Sequence, residues 1–274
     1  VLQYFLTGLF ADMSSAELSA MAVLGDVPIF ALDPANWSVH FHWPWVSQAA
    51  AEACDTQKLM SQSQIALRNV IRYVHDKVRQ TEMDYPLVIQ IRAGCELYPN
   101  MTSWGFLHAG EGGKDLVAFE VDEQRWEMQQ PSQLAEKVSR DLNREKSIRV
   151  LLEYLLSIIC QCQIRTLNRY GRATLERQEL PVATVFARTP SPHQLLLVCH
   201  VTAFYPRPIS VAWLKDGQEM PPGPELSTGP ILPNADLTYQ LCSVLAVAPQ
   251  DRHSYACRVR HRSLGTRSLL IPWG

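Results

Sequence analysis

The stretch CHVTAFYPRPISVAW, residues 199–213, opens on a cysteine and closes on a tryptophan, and a second cysteine, Cys257, follows Tyr255 by two residues. A two-sheet β-sandwich of immunoglobulin type needs these residue types in this order. Its second strand carries a cysteine, its third a tryptophan, and its sixth a cysteine that bridges the sheets beside that tryptophan. A corner tyrosine two residues before the second cysteine bonds back to the backbone. Cys199, Trp213, Tyr255 and Cys257 therefore place such a sandwich over residues 180–274.

At 274 residues the chain exceeds the usual size of one domain. A sandwich of roughly 95 residues leaves about 180 for a second unit with its own core. The net charge of −2 lacks the clustered Lys and Arg that phosphate binding needs, which sets nucleic acid aside as a partner. Seven cysteines, two of them claimed by the sandwich, point to an oxidising compartment. Acceptor sequences for glycosylation at Asn36 and Asn100 point the same way. No uninterrupted apolar run reaches the roughly 18 residues of a membrane span, and no leader opens the chain. The expectation is the mature, soluble ectodomain of a secreted or cell-surface protein.

Residues 1–179 read as strands, then helix, twice over, with halves of about 1–85 and 86–179. Residues 2–10, 21–24 and 28–32 have strand character. From about Gln48 to Gln80, Met60, Leu67, Ile71, Val74 and Val78 recur at spacings of three, four and seven, a helical stripe. Strands resume at Leu87–Ala93, Gly105–His108 and Leu116–Val121. A second helical stretch runs from about Ser132 to Tyr170, between Pro131 and Gly171. Two such halves predict an α+β layer, an antiparallel sheet platform topped by two long helices on one face. An immunoglobulin constant-type β-sandwich follows it.

In LVIQIRAG, Ile89, Ile91 and Ala93 alternate with Gln90 and Arg92, the period of a half-buried strand. If Tyr4, Leu6, Met21, Val23, Phe30, Leu107, Ala109, Val117 and Phe119 share the helix-facing side, the floor beneath the helices is almost wholly apolar. The second helix adds Ile148, Leu151, Leu152, Leu155 and Ile159 in one stripe, with Arg149, Glu153 and Ser157 turned away. Two helices on one face either close on each other or leave a trough.

Three sequences in the last 95 residues, LLLVCHVTAFYPRPISVAW, ILPNADLTYQL and HRSLGTRSLLIPWG, resemble the third domain of MHC class I-like heavy chains. They are most like the lipid-presenting branch, the cluster-of-differentiation-1 family. YPLVIQIRAGCELYP and GGKDLVAFEVDEQRW resemble that family's second domain. The resemblance implies a membrane-proximal sandwich under a groove, and a type I membrane protein of the cell surface and endosomes. It also implies non-covalent pairing with beta-2-microglobulin, for which Gln90, Arg92 and His108 would face the underside of the sheet. T-cell receptors are the implied audience. A disulfide from Cys95 to Cys160 is implied as well; Cys162 is the rival, about 200° round the helix. Cys54, Cys162 and Cys242 are then left free.

Peptide-presenting relatives hold peptide termini with hydrogen-bonding aromatics, because a desolvated terminus must be paired. Tyr4 matches one such position, but Val78, Leu155 and Leu167 stand where others are needed. The resemblance and the aliphatic lining together predict a bound lipid (fatty acid, phospholipid or glycolipid), with no cofactor and no metal. Burying about sixteen carbons at about 0.8 kcal/mol each yields on the order of 12 kcal/mol before entropic losses. By the same resemblance Glu145 falls where relatives use an acid to contact head groups, Tyr73 replaces a second acid and Ile148 a threonine of that set, and Asp76 stands one turn further along, so that Glu145, Tyr73 and Asp76 are the expected head-group contacts. Phe30, Tyr4 and Met21 are large for floor positions, so the groove is expected to be small and to favour single-chain lipids.

Enzyme readings fail. GEGGK lacks the spacing and the hydroxyl residue of a phosphate loop, no nucleophile elbow occurs, and His40 and His42 have no further ligand set. The alternatives to lipid display are a closed-groove receptor for another protein and peptide presentation.

Overall fold

The computed structural model describes residues 1–52, 56–81, 84–100 and 102–273, with side chains except over 56–67 and 81. The chain divides into two compact units, Val1–Leu175 and Glu176–Gly274.

In the first unit, eight antiparallel strands line up in the order β4-β3-β2-β1-β5-β6-β7-β8. The strands are β1 (Leu2–Phe10), β2 (Ala16–Leu24), β3 (Val27–Leu32), β4 (Val39–Phe41), β5 (Leu87–Leu97), β6 (Ser103–Glu111), β7 (Lys114–Glu120) and β8 (Arg125–Met128). Strands β4 and β8 are three and four residues long. Such short segments carry too little alternation to be read from sequence. The helices are α1 (Pro44–Glu52), α2 (Thr56–Thr81), α3 (Gln133–Arg144), α4 (Lys146–Tyr154) and α5 (Cys160–Leu175).

Each helix rests on the sheet through its apolar side. Val74 and Val78 of α2 pack with Phe10 and Leu87. Ala135 and Val138 of α3 pack with Phe119 and Trp126. Ile164 and Leu167 of α5, with Val46 and Ala49 of α1, pack on Leu2 and Leu24.

The second helical stretch is not continuous. Ser132 caps α3 through its Oγ, which accepts from the Ala135 amide at 3.1 Å. At Glu145 the backbone leaves the helical region, with φ −87° and ψ 78°, and α4 begins afresh. A π-turn, Leu155–Ile159, then links α4 to α5. Its extra residue rotates α5 relative to α4, so that Leu156, Ile159, Cys160 and Ile164 all reach the sheet. Gly105 of β6 permits the approach. A Cβ there would lie 2.9 Å from that of Leu156, and the Cys95–Cys160 disulfide fastens the contact.

By length and composition, Lys146–Leu175 could cross a membrane, which sequence reading missed because charges such as Glu153 and Arg165 interrupt the run. Its disulfide to β5 and its residues buried against the sheet make it a wall of the platform instead.

The second unit is a sandwich of two sheets. One has the order β13-β15-β10-β9, with β14 on β15, and the other β12-β11-β16-β17. The strands are β9 (Val182–Ser191), β10 (Gln194–Phe204), β11 (Ile209–Lys215), β12 (Gln218–Glu219), β13 (Leu226–Thr228), β14 (Leu232–Pro233), β15 (Tyr239–Val247), β16 (Tyr255–His261) and β17 (Leu269–Trp273). Cys199 of β10 bridges to Cys257 of β16 across the sheets. Fully buried Trp213 lies in the same core and donates through Nε1 to Ser243 Oγ at 3.2 Å. The Tyr255 hydroxyl bonds upstream, but to the Asp251 carboxylate at 2.9 Å rather than to backbone. Its pKa is pushed up to about 12 by burial, then by that carboxylate.

Candidate functional site

Strand pairing fixes the upper face of the platform, since directly paired residues on antiparallel strands point the same way. Leu2, Tyr4, Leu6, Gly8 and Phe10 face the helices with Leu24, Ala22, Ala20, Leu18 and Ala16 on one side. On the other they face them with Cys95, Ala93, Ile91, Ile89 and Leu87. Leu107 and Ala109 extend the floor onto β6, Phe119 and Val117 onto β7. The ends of β1, Leu2 beneath α5 and Phe10 beneath α2, are buried and lie about 27 Å apart along the strand. Between them Leu6, Ala20, Ile89, Ile91 and Ala109 are only half-buried. Packing beneath the helices also falls into separate clusters. The floor is an apolar trough running across the strands.

Helix α4 forms one wall. Arg149 Nη1 donates to the Gln124 carbonyl at 2.8 Å, which pins Arg149 to the outer flank over the β7–β8 turn. At 100° per residue, Leu151 and Leu155 then lie on the opposite flank, over the trough, while Val150 and Tyr154 point upward. Leu151 is 53 % exposed and Ile148 40 %, although both belong to the apolar stripe. Leu152 packs beneath them on the sheet.

Polar contacts tie floor to helix and helix to helix at both ends of the trough. The Tyr4 hydroxyl, on a half-buried ring, donates to Gln163 Oε1 at 2.6 Å, and burial drives its pKa far up. Its ring packs tilted on Phe30 at 6.0 Å. Behind it α1 and α5 are sealed by the Trp45 ring against Gly171 and by Glu52 with Arg169 and Tyr170. Toward the other end Lys77 of α2 pairs with Asp141 of α3, and Lys137 Nζ donates to the Gln80 carbonyl at 3.0 Å. The Lys77 ammonium sits 5.1 Å from the Tyr73 ring centroid. Tyr73's own hydroxyl is buried without a hydrogen-bond partner among the described residues.

Residues 2–174 match the MHC-I family domain and 184–264 the immunoglobulin C1-set domain. A structure of chicken CD1-2 with bound fatty acid superposes with a TM-score of 0.93 at 50 % identity, covering 100 % of this chain and 98 % of that one. Chicken CD1-1 superposes with the same score at 40 % identity, covering 100 % and 99 %. The antigen-presenting glycoprotein CD1d of Sylvilagus floridanus is 32 % identical over 262 residues, 95 % of this chain and 93 % of that protein. The chain belongs to the CD1 branch of the MHC-I family. CD1 proteins are antigen-presenting proteins, not enzymes.

Several expected residues lie elsewhere than the sequence placed them. Met21 and Val23 are not floor residues, because they pair with Phe5 and Gln3 and so share the underside. Alternation told which residues share a face of β2, not which face met the helices. Phe30 does face upward, opposite Ala22 beyond a bulge, but it is packed into the cluster behind Tyr4. The side chains of Met60 and Leu67 lie outside the described residues. Val117, Phe119 and Ile159 are buried beneath α3–α5 rather than open to the trough.

Of the head-group candidates, Asp76 and Glu145 are exposed, and no side-chain hydrogen bond joins them among the described residues. Tyr73 lies under the Lys77–Asp141 bridge. Cys162, expected to be free, is disulfide-bonded; turned away from Cys95, it serves a different cross-link. Cys54 lies outside the described residues, and Cys242 is free, as expected, and exposed. Gln90, Arg92 and His108 are on the underside, where Arg92 Nε donates to Gln3 Oε1 at 2.9 Å.

Sequence reading missed Gln163, Lys77 and Asp141. Gln163 left a trace, as a polar residue one turn beyond Cys160 on a sheet-facing stripe. The other two left none.

Proposed function

We propose that this chain holds a lipid in the trough and presents its head group to T-cell receptors, as a beta-2-microglobulin-paired protein of the cell surface and endosomal membranes. The observation that carries the reading is the half-exposed apolar band of Leu6, Ile89, Ile91 and Ala109. Half-buried aliphatic side chains between two walls are surface that a hydrocarbon would cover, at about 0.8 kcal/mol per methylene. Peptide presentation lacks its hydrogen-bonding clamps, since Val78 and Leu167 are buried in core clusters.

The lining comprises Leu6, Ile71, Ile89, Ile91, Ala93, Ala109, Leu151, Leu152 and Leu155, with Ile148 at the rim, while Val74, Val78 and Leu107 are buried in the packing beneath the helices. Glu145 and Asp76 stand at the mouth as head-group contacts. The filled end behind Tyr4 and Phe30 favours a single alkyl chain over two. Gln90, Arg92 and His108 offer the underside a polar surface suited to the light subunit. Asn36 and Asn100 sit in exposed turns, each Oδ1 accepting from the amide two residues on, and are the proposed glycan sites.

The test is mass spectrometry of organic extracts of the full chain produced in animal cells with beta-2-microglobulin, beside an acid eluate screened for peptides. Stoichiometric single-chain lipid is expected. An empty extract would replace this reading with a closed-groove receptor, and eluted peptides with peptide display.

A further inference from the structure

At the α1 end, the trough meets Tyr4. The residues paired with Tyr4 on the helix-facing side are Ala22 on β2 and Ala93 on β5. Two alanines flanking one tyrosine leave its ring as the bulk filling that row of the floor. Were the ring absent, three small side chains would form a passage from the trough into the space now packed by Phe30, Ile164 and Cys160. The ring's position is set from above as well, by the 2.6 Å bond from its hydroxyl to Gln163 Oε1 on α5. A buried hydroxyl released from its partner loses more than it gains by moving, so the bond holds the ring across the row.

We propose that the Tyr4–Gln163 hydrogen bond is the end stop that sets the longest hydrocarbon chain the trough accepts. The inference rests on the lipid reading and names the residues that give it length selectivity. Phe30 braces the stop from behind, and the Lys77–Asp141 bridge lies toward the other end. A chain entering between α2 and α4 would run over Leu6 and Ile91 and halt at the tyrosine. Below the limit each added methylene should tighten binding about four-fold, the equivalent of 0.8 kcal/mol. Beyond it the gain should vanish.

The test uses the full chain with beta-2-microglobulin, and saturated fatty acids of about 10 to about 22 carbons displacing a fluorescent fatty acid, with the methylene increment as the scale. The wild type should show a break in the affinity-against-length plot. Tyr4→Ala should move that break to longer chains by two carbons or more. Gln163→Leu combined with Tyr4→Phe keeps the bulk and removes both polar partners, so it folds without an orphaned hydroxyl; freed to swing, its ring should also admit longer chains. A break that stays in place in whichever of the two variants folds overturns the stop while leaving lipid binding intact. A wild type that displaces no probe with any chain overturns the lipid reading, and the stop with it.

Discussion

Asp141→Asn is the most informative single change in this molecule, because Asp141 holds the ion pair that joins α2 to α3 across the trough. Lys77 and Asp141 keep side-chain exposures of only 11 % and 26 %. An exposed ion pair contributes about 0–1 kcal/mol, whereas breaking a buried pair costs about 3–5 kcal/mol because a charge is left uncompensated. This pair lies between the limits, which gives about 2 kcal/mol for removing one partner. If the bridge roofs the trough, that energy appears in the opening step, and about 2 kcal/mol corresponds to roughly 30-fold faster exchange. The assay is release of a fluorescent fatty acid, followed for wild type, Asp141→Asn, Lys77→Met and the double variant, with thermal unfolding in parallel. The double variant should be less impaired than the singles sum to, a coupling of about 1–2 kcal/mol.

The same pair makes a pH prediction. The hydrogen bond from Lys77 holds the Asp141 carboxyl below its usual range, helped by the charges of Lys77, Arg144 and Lys137. A depressed acid contributes stability above its unfolded value of 3.8, which is lost only as pH falls through the lower folded value. Release should therefore be flat from about pH 7 to about pH 5. Exchange in Asp141→Asn within two-fold of wild type, together with additive unfolding energies, would refute the roof.

Three further outcomes are expected. Replacing Cys95 and Cys160 by alanine removes a cross-link 65 residues apart in sequence, and equilibrium unfolding should register a loss of about 4 kcal/mol. At Gly171 a Cβ would stand 2.7 Å from the Trp45 ring. Gly171→Ala should lower stability by about 1–2 kcal/mol even though alanine favours helix by about 1 kcal/mol, and a compensating Trp45→Phe should recover part of it. In the sandwich, Tyr255→Phe removes a bond to a carboxylate and should cost about 1.5–3 kcal/mol at neutral pH. Because the folded tyrosine is raised to about 12 from 10.0, that advantage is complete below pH 10 and fades between 10 and 12. A difference from Tyr255→Phe that persists above that range would contradict the assignment.

Much of the fold was legible in the residues. Cys199, Trp213 and Cys257 specified the sandwich because a bridge packed beside an indole needs those side chains at those strand positions. The alternation in LVIQIRAG gave the correct floor of β5, and the stripe of Val74 and Val78 gave the seat of α2. The break at Glu145 and the π-turn at Leu155–Ile159 were not legible, since an apolar stripe interrupted by one extra residue still reads as helix. They come from fitting Leu156 over Gly105 and Cys160 onto Cys95 at once.

By itself, then, the sequence determined the two units, the twice-repeated strands-then-helix plan of the first, and the apolar character of the sheet face that meets the helices. These rest on local periodicity and on residue types that admit few uses. Only tertiary structure decided that Met21 faces down, that Cys162 takes part in a cross-link, and that Tyr4–Gln163 ties floor to helix and Lys77–Asp141 helix to helix. Those partners lie 159 and 64 residues apart, and each contact depends on where a whole strand or helix comes to rest. Local pattern fixes which side chains share a face; packing fixes what that face meets.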